Sequence, residues 1–421
     1  MKGLVLGGGG SRGAYQVGVW KALNELQITF DVVCGSSIGA LNGVLVVQND
    51  YEACLQLWES LRIHRVVNAD LPDKIDMDSF FDHPNRYKKL LGAYWRDKGI
   101  NIAPLEKVVR NLYNADKFFS SPINFACMRT NVSKLKADPI MKKDMHRDDV
   151  VDHILASASC FPTFPMRKIK DELFIDGGYS ETVPIRLAKS LGATSIVAVD
   201  LSGKAHPYYT RSETSCYIQP YRSLGAFFDF RPKTIQENIR IGYHDTLKAY
   251  GNLFGYQYTF YKSEKVKIEA CVAMLHKFNM DKIPKALLIL QDMQKKTTRK
   301  EMQGFPLLEL RLLELCAHTL QIDDVRIYSF RSWLDEIYTI LETSTSSYTK
   351  CMKEASSMKE RIKILKKERL SANLLVYLYQ KIKENNIDEH EDIAQYISAL
   401  PEKVYIAYVL NCVKKEYYDE I

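Results

Sequence analysis

The chain has 421 residues, 46% hydrophobic and 26% charged, with a formal net charge of +7. This is the composition of an ordinary soluble globular protein of two or three domains, each large enough to bury a core. The charge is too mild to argue for nucleic acid, and no run approaches the ~18 apolar residues needed to span a bilayer. Nine cysteines are scattered along the sequence and never spaced C-x-x-C. That pattern excludes a disulfide frame and a zinc site and fits reduced thiols in a cytoplasmic protein. The apolar stretch after Met1 is too short for a secretory signal. Any membrane contact is then expected to be peripheral, at the inner face.

Lys2–Leu6 reads as a short strand that runs into a glycine loop. A helix follows from Gly13, with Tyr15, Val19, Leu23 and Leu26 on one face. Phe30–Cys34 is a second buried-type strand, and "GSSIGALNGVLVV" turns sharply from it into another helix. Strand, glycine turn and helix, repeated within the first 50 residues, open a parallel α/β sheet. Residues 51–118 read as a mostly helical cap, broken at "DHPNRY" and "DKGINIAP". Further strands are expected at Ile123–Met128, Glu172–Asp176 and Thr194–Asp200, with a helix from Asp148 to Ser159 between the first two. Beyond about residue 256 glycine nearly vanishes and amphipathic helical periodicity takes over. The expected organisation is a three-layer α/β/α sandwich with a mostly parallel sheet over residues 1–255 and an all-α domain over 256–421. "ETSTSSYTK" reads as a loop within the second domain.

Three stretches carry chemistry. Gly35-Ser36-Ser37-Ile38-Gly39 is a G-x-S-x-G pattern placed after an apolar strand and at the start of a helix, where a nucleophile elbow sits. The glycines permit the tight turn, and the helix N-terminus supplies positive potential beside the Ser37 hydroxyl. A plain helix cap by Ser36 or Ser37 is the bland alternative. None of the nine histidines has a flanking pattern that marks it as a partner. Asp176, ending an apolar strand and followed by Gly177-Gly178, is the better base. Its carboxylate is expected at the carboxyl edge of the sheet, where the elbow also emerges. Burial in an apolar groove would raise its basicity.

The opening "GGGGSRG" also fits the dinucleotide fingerprint through Gly8, Gly10 and Gly13. That reading needs an acidic residue at the far end of the second strand, but Asp31 lies at its start and the far end carries the elbow. An oxyanion hole fits instead, with the amides of Gly8, Gly9 and Gly10 aimed at a developing negative oxygen and Arg12 close by.

With these pieces in order, the sequence resembles the patatin-like phospholipases, which carry G-G-G-x-R-G, G-x-S-x-G and D-G-[AG] on a modified α/β-hydrolase-type fold. The motifs stand here as Gly8–Gly13, Gly35–Gly39 and Asp176-Gly177-Gly178. "ASASCFPTFP" resembles the small-residue helix and turn that precede the family's aspartate, "IQPYRSLGAFFDF" and "NIRIGYHDTL" are similar to segments of bacterial members, and the resemblance covers roughly residues 1–250. It implies Ser37 as nucleophile, Asp176 as proton acceptor in a dyad without histidine, no metal or other cofactor, and acyl esters of lipids, chiefly phospholipids or acylglycerols, as substrates. Many members have Asn six residues after the aspartate, where this chain has Thr182, with Pro184 kept. That departure leaves open a regulator that binds lipid or a partner through a vestigial site. The C-terminal helices offer a surface for a protein partner or a second copy. Six basic residues from Lys359 to Arg369, against Glu360 and Glu368, form either a solvated helix face or a contact for anionic headgroups.

Overall fold

The computed structural model describes residues 1–68, 72–75, 100–202, 214–282, 308–349, 354–355, 357–367, 371–384 and 401–420. "DHPNRY", His83, His206, Cys351, Arg369 and His390 lie outside them, as do parts of the cap stretch and of the basic run. The chain divides into two compact units, Met1–Tyr250 and Gly251–Ile421.

In the first unit, β1 (Lys2–Leu6) passes through the glycine loop into α1 (Ala14–Glu25), and β2 (Val32–Ser36) leads into α2 (Ile38–Gln48) and α3 (Tyr51–Ser60). The short β3 (Lys74–Ile75), α4 (Ala103–Leu112) and α5 (Ala115–Ser120) precede β4 (Asn124–Asn131) and its small companions β5 (Lys136–Ala137) and β6 (Ile140–Met141). Then come α6 (Val150–Ser157), β7 (Arg167–Ile169), β8 (Glu172–Asp176), α7 (Ile185–Ser190) and β9 (Ser195–Val199). β10 (Cys216–Ile218), β11 (Phe228–Asp229) and α8 (Pro232–Ala249) complete the unit.

The main sheet runs β10-β9-β1-β2-β4-β8-β7, with β5 and β6 also paired to β4. β10, β9, β1, β2 and β4 are mutually parallel. Strands buried on both faces need apolar residues on both, which is why β1 and β2 read as unbroken hydrophobic runs. Val5, Val32, Cys34, Ala126, Ile185 and Ala198 share one continuous core. The chain leaves β1 toward β2 on one side and returns to β9 on the other, so the topological switch point lies between β1 and β9, at the carboxyl ends of the parallel strands.

One expectation about the sheet needs correcting. β8 is antiparallel to β4, and β7 to β8, so the carboxyl end of β8 does not lie on the sheet's carboxyl edge by strand direction. Register places it there instead. Met128 of β4 is level with Ser36, and Arg129, the next residue, is level with Asp176. β8 therefore enters from beyond the edge and ends at the height of the elbow.

The second unit is predominantly helical: α9 (Lys265–Lys282), α10 (Leu308–Thr319), α11 (Phe330–Thr343), α12 (Met358–Lys367), α13 (Ala372–Glu384) and α14 (Pro401–Glu416). It is not all-α. β12 (Leu253–Phe254), β13 (Thr259–Tyr261) and β14 (Ile327–Tyr328) form a three-stranded sheet. Strands of two or three residues are too short to leave a periodic trace in sequence. The buried Glu314 carboxylate fixes the turn before β13, accepting N–H bonds from Tyr256 at 2.9 Å and Tyr258 at 3.3 Å. No helix of the described residues is long and apolar enough to cross a membrane, and no disulfide joins the described cysteines.

Candidate active site

The elbow is built by close backbone approach. A Cβ on Gly35 would lie 2.4 Å from the Gly39 carbonyl oxygen, and one on Gly39 would lie 2.1 Å from that of Leu6. Neither position admits a side chain. Between them Ser37 adopts φ 55° and ψ −126°, a conformation that costs a non-glycine residue roughly 1–3 kcal/mol and persists only when its surroundings fix it. Part of that restraint is Ser157, the last residue of α6, whose fully buried hydroxyl oxygen accepts the Ser37 N–H at 3.0 Å. Ser37 occupies the N-cap position of α2, yet its side chain makes no cap bond.

The hydroxyl is aimed elsewhere. Ser37 Oγ donates to Asp176 Oδ2 at 2.6 Å, and both residues are buried. The other carboxylate oxygen, Oδ1, accepts the Gly178 N–H at 2.7 Å. The Asp176 backbone is tied on both sides: its N–H donates to Ser159 O at 2.8 Å, and its carbonyl accepts from Thr130 Oγ1 at 2.9 Å. Burial pushes the Asp176 carboxyl up to about 6, against the pull of the Ser37 and Gly178 hydrogen bonds. A carboxylate of that basicity, bonded to a strained serine hydroxyl, can take its proton near neutral pH. Gly177 and Gly178 open the tight turn after β8, Gly177–Tyr179, that holds this acid in place.

The glycine loop lies directly against the elbow: a Cβ on Gly8 would be 3.1 Å from that of Ser37. Its donors are not equivalent. The Gly8 N–H is spent on Thr182 O at 3.0 Å, which removes Gly8 from the three expected oxyanion donors in this conformation. The Gly9 and Gly10 N–H groups meet no acceptor among the described residues. Gly10 has φ +59°, and a Cβ there would sit 2.5 Å from Phe227 O. Gly13 ends the short helical turn Gly10–Gly13 and is the N-cap of α1.

Arg12 does not stand free beside the site. Its Nε donates to Gly225 O at 3.0 Å. Ser11 works with it: Ser11 Oγ donates to Ala226 O at 3.1 Å, Ser11 N–H to Phe227 O at 2.9 Å, and the Asp229 N–H returns to Ser11 Oγ at 3.0 Å. The Ser-Arg pair of the motif thus clamps the segment Gly225–Asp229 against the loop. Thr182, standing where many relatives of the resembled family have Asn, braces the turn after Asp176 through Oγ1, which donates to Gly178 O at 3.2 Å.

Among the described histidines, none hydrogen-bonds Ser37 or Asp176. His153 faces Arg129, with Nδ1 and Nη1 at 2.7 Å, and His244 sits buried on α8. Burial pushes both down to about 4, so both are neutral at pH 7. Cys160, a half-buried thiol near Asp176, is pushed up to about 11 by burial and by that carboxylate's charge, so it stays protonated. Sequence reasoning missed Ser157, Thr130, Ser11 and the Gly225–Asp229 segment. Only Ser157 left a trace, inside the small-residue run "ASASC".

Residues 4–189 match the family model described as patatin-like phospholipase. A lysophospholipase nte1 of Aspergillus terreus is 28% identical over 209 residues, covering 47% of this chain and 12% of that protein. A patatin-like phospholipase domain-containing protein of Caenorhabditis elegans is 27% identical over 208 residues, covering 47% of this chain and 13% of its own length. The match thus spans about an eighth of these relatives. Among solved structures, VipD from Legionella pneumophila aligns over 100% of this chain and 93% of its own, at 15% identity and a TM-score of 0.39. The likeness to patatin-like phospholipases lies in residues 4–189, within the first compact unit.

Proposed function

We propose that the chain is a serine lipid acyl hydrolase, acting on phospholipid, lysophospholipid or acylglycerol esters with Ser37 as nucleophile and Asp176 as its base. The observation that carries this reading is the 2.6 Å hydrogen bond from a buried, strained serine hydroxyl to a buried carboxylate of raised basicity. The family match and the lysophospholipase name of the Aspergillus terreus relative support a lipid ester as the substrate class.

Asp176 takes the Ser37 proton as Oγ attacks the ester carbonyl. The oxyanion forms beside the open Gly9 and Gly10 N–H groups, at the N-terminal end of a helical turn where the potential is positive. Collapse of the tetrahedral intermediate breaks the bond to the alcohol, which leaves with the proton held by Asp176. Water then attacks the acyl-serine, giving its proton to Asp176, and Ser37 is restored as the fatty acid departs. Arg12 and Ser11 serve by fixing the wall beside the loop, and Thr182 by bracing the acid's turn.

Hydrolysis of a soluble p-nitrophenyl ester and of lysophosphatidylcholine by the wild-type chain and by Ser37→Ala tests the reading. Loss of both activities in a folded Ser37→Ala variant is expected. Turnover retained in that variant refutes the assignment.

A further inference from the structure

β4 and β8 continue past the level of the dyad, and Asn131 lies opposite Phe174 beyond it. The β4–β5 turn and the β7–β8 turn then leave the sheet side by side, joined by the Val132 N–H to Leu173 O at 2.9 Å. Four strand steps separate Asp176 from Glu172, so these tips stand about 13 Å past the dyad, on the edge where Ser37 emerges.

The tips carry residues that water alone does not explain. Leu135 is 87% exposed and holds φ +50°, a left-handed conformation that Gly or Asn would fill with less strain. Leu173, on the neighbouring hairpin, is 38% exposed. Lys134, Lys136, Lys168 and Lys170 surround them, all exposed. Of the acids on the same tips, Glu172 faces Lys134 and Asp171 faces Lys168 at 3.8 Å, while Asp138 below them faces Arg129 at 3.2 Å. Lys136 and Lys170 have no carboxylate in ion-pair range among the described residues, and they leave the tips net positive. An exposed leucine at the apex of a basic rim combines an apolar anchor with charge complementary to lipid phosphate.

We propose that the paired hairpin tips dock on an anionic lipid bilayer. Leu135 enters the headgroup–acyl boundary, Lys136 and Lys170 meet lipid phosphates, and the dyad's edge of the sheet faces the membrane. The purpose of this contact rests on the proposed lipid hydrolysis, but the binding can be measured without it.

Sedimentation of the full chain with vesicles of phosphatidylcholine alone, and of equal parts phosphatidylcholine and phosphatidylglycerol, tests the proposal. The wild type binds the anionic vesicles. Leu135→Gly, which removes the side chain and relieves the backbone, lowers that binding roughly tenfold. Lys136→Gln and Lys170→Gln each lower it about fivefold on anionic vesicles and leave the neutral ones unaffected. Hydrolysis of the soluble ester stays at the wild-type rate in all three, while hydrolysis of vesicle phospholipid falls with binding. Failure of the wild type to bind anionic vesicles, or binding unchanged in Leu135→Gly and both lysine variants, overturns the docking surface. If the wild type hydrolyses no ester, the catalytic reading fails, and the sedimentation result still decides the docking.

Discussion

Replacing Asp176 by Asn separates what the carboxylate does for chemistry from what it costs the fold. The amide keeps the shape: its oxygen can accept the Gly178 N–H and its NH2 can donate to Ser37 Oγ, while the Ser37 hydroxyl proton loses its carboxylate acceptor, a cost that is the same at every pH. What disappears is a buried charge. The Asp176 carboxyl is raised from 3.8 to about 6 by burial. A carboxyl raised in this way carries no penalty below about pH 4, where it is protonated in both folded and unfolded chains. As pH rises, the unfolded chain ionises first, and stability is lost until the folded carboxyl also ionises near pH 6; the loss is then constant. Two pK steps correspond to about 3 kcal/mol at pH 8 and to less than about 1 kcal/mol at pH 4. Thermal unfolding of wild type and Asp176→Asn at both pH values reads this directly. Loss of the charge raises the melting of the variant's first unit at pH 8 by roughly 6–12 °C, and at pH 4 that gain nearly vanishes, leaving the constant cost. In the same variant kcat falls on the order of 10²–10⁴-fold, the usual worth of a general base. A difference between variant and wild type that is the same at both pH values refutes the claim that this acid is a costly buried charge.

Three further outcomes follow from the same geometry. Because Asp176 must be ionised to accept a proton, kcat/KM for a soluble ester rises with pH through about 6 and levels off above it; a profile still climbing beyond pH 7.5 contradicts Asp176 as the base. Ser157→Ala leaves the Ser37 N–H buried without an acceptor and lowers the unfolding free energy by about 1–3 kcal/mol in chemical denaturation, with a loss of kcat as the elbow relaxes; unchanged stability contradicts its role as the elbow's restraint. Arg12→Lys keeps the charge but loses the guanidinium Nε donated to Gly225 O, so stability falls by about 1–2 kcal/mol and kcat falls with it; wild-type behaviour in the lysine variant means that charge alone is what the position supplies.

The sequence carried the site's parts better than their arrangement. G-x-S-x-G after an apolar strand fixes Gly35, Ser37 and Gly39 because the backbone contacts at Gly35 and Gly39 exclude every side chain, and such a constraint is visible in residue type. The position of Asp176 beside the elbow was expected for a wrong reason: strand direction cannot be read from a single strand, and β8 reaches the elbow by register in an antiparallel pair. The difference between Gly8 and its neighbours was not legible either. Three adjacent glycines look alike until the loop's path hands one N–H to Thr182 and leaves the next two open. Arg12 reads as a charge in sequence, but its main-chain partner lies 213 residues away, where no local pattern announces it. The same limit hid β12, β13 and β14, whose brevity leaves nothing for periodicity to detect.

Mapping a fluorophosphonate adduct by mass spectrometry bears most directly on the central claim. Reaction of the wild-type chain is expected to place the label on Ser37, and Ser37→Ala is expected to take up none while losing ester hydrolysis. An adduct on any other serine, or no adduct in a chain that still cleaves lipid esters, contradicts it.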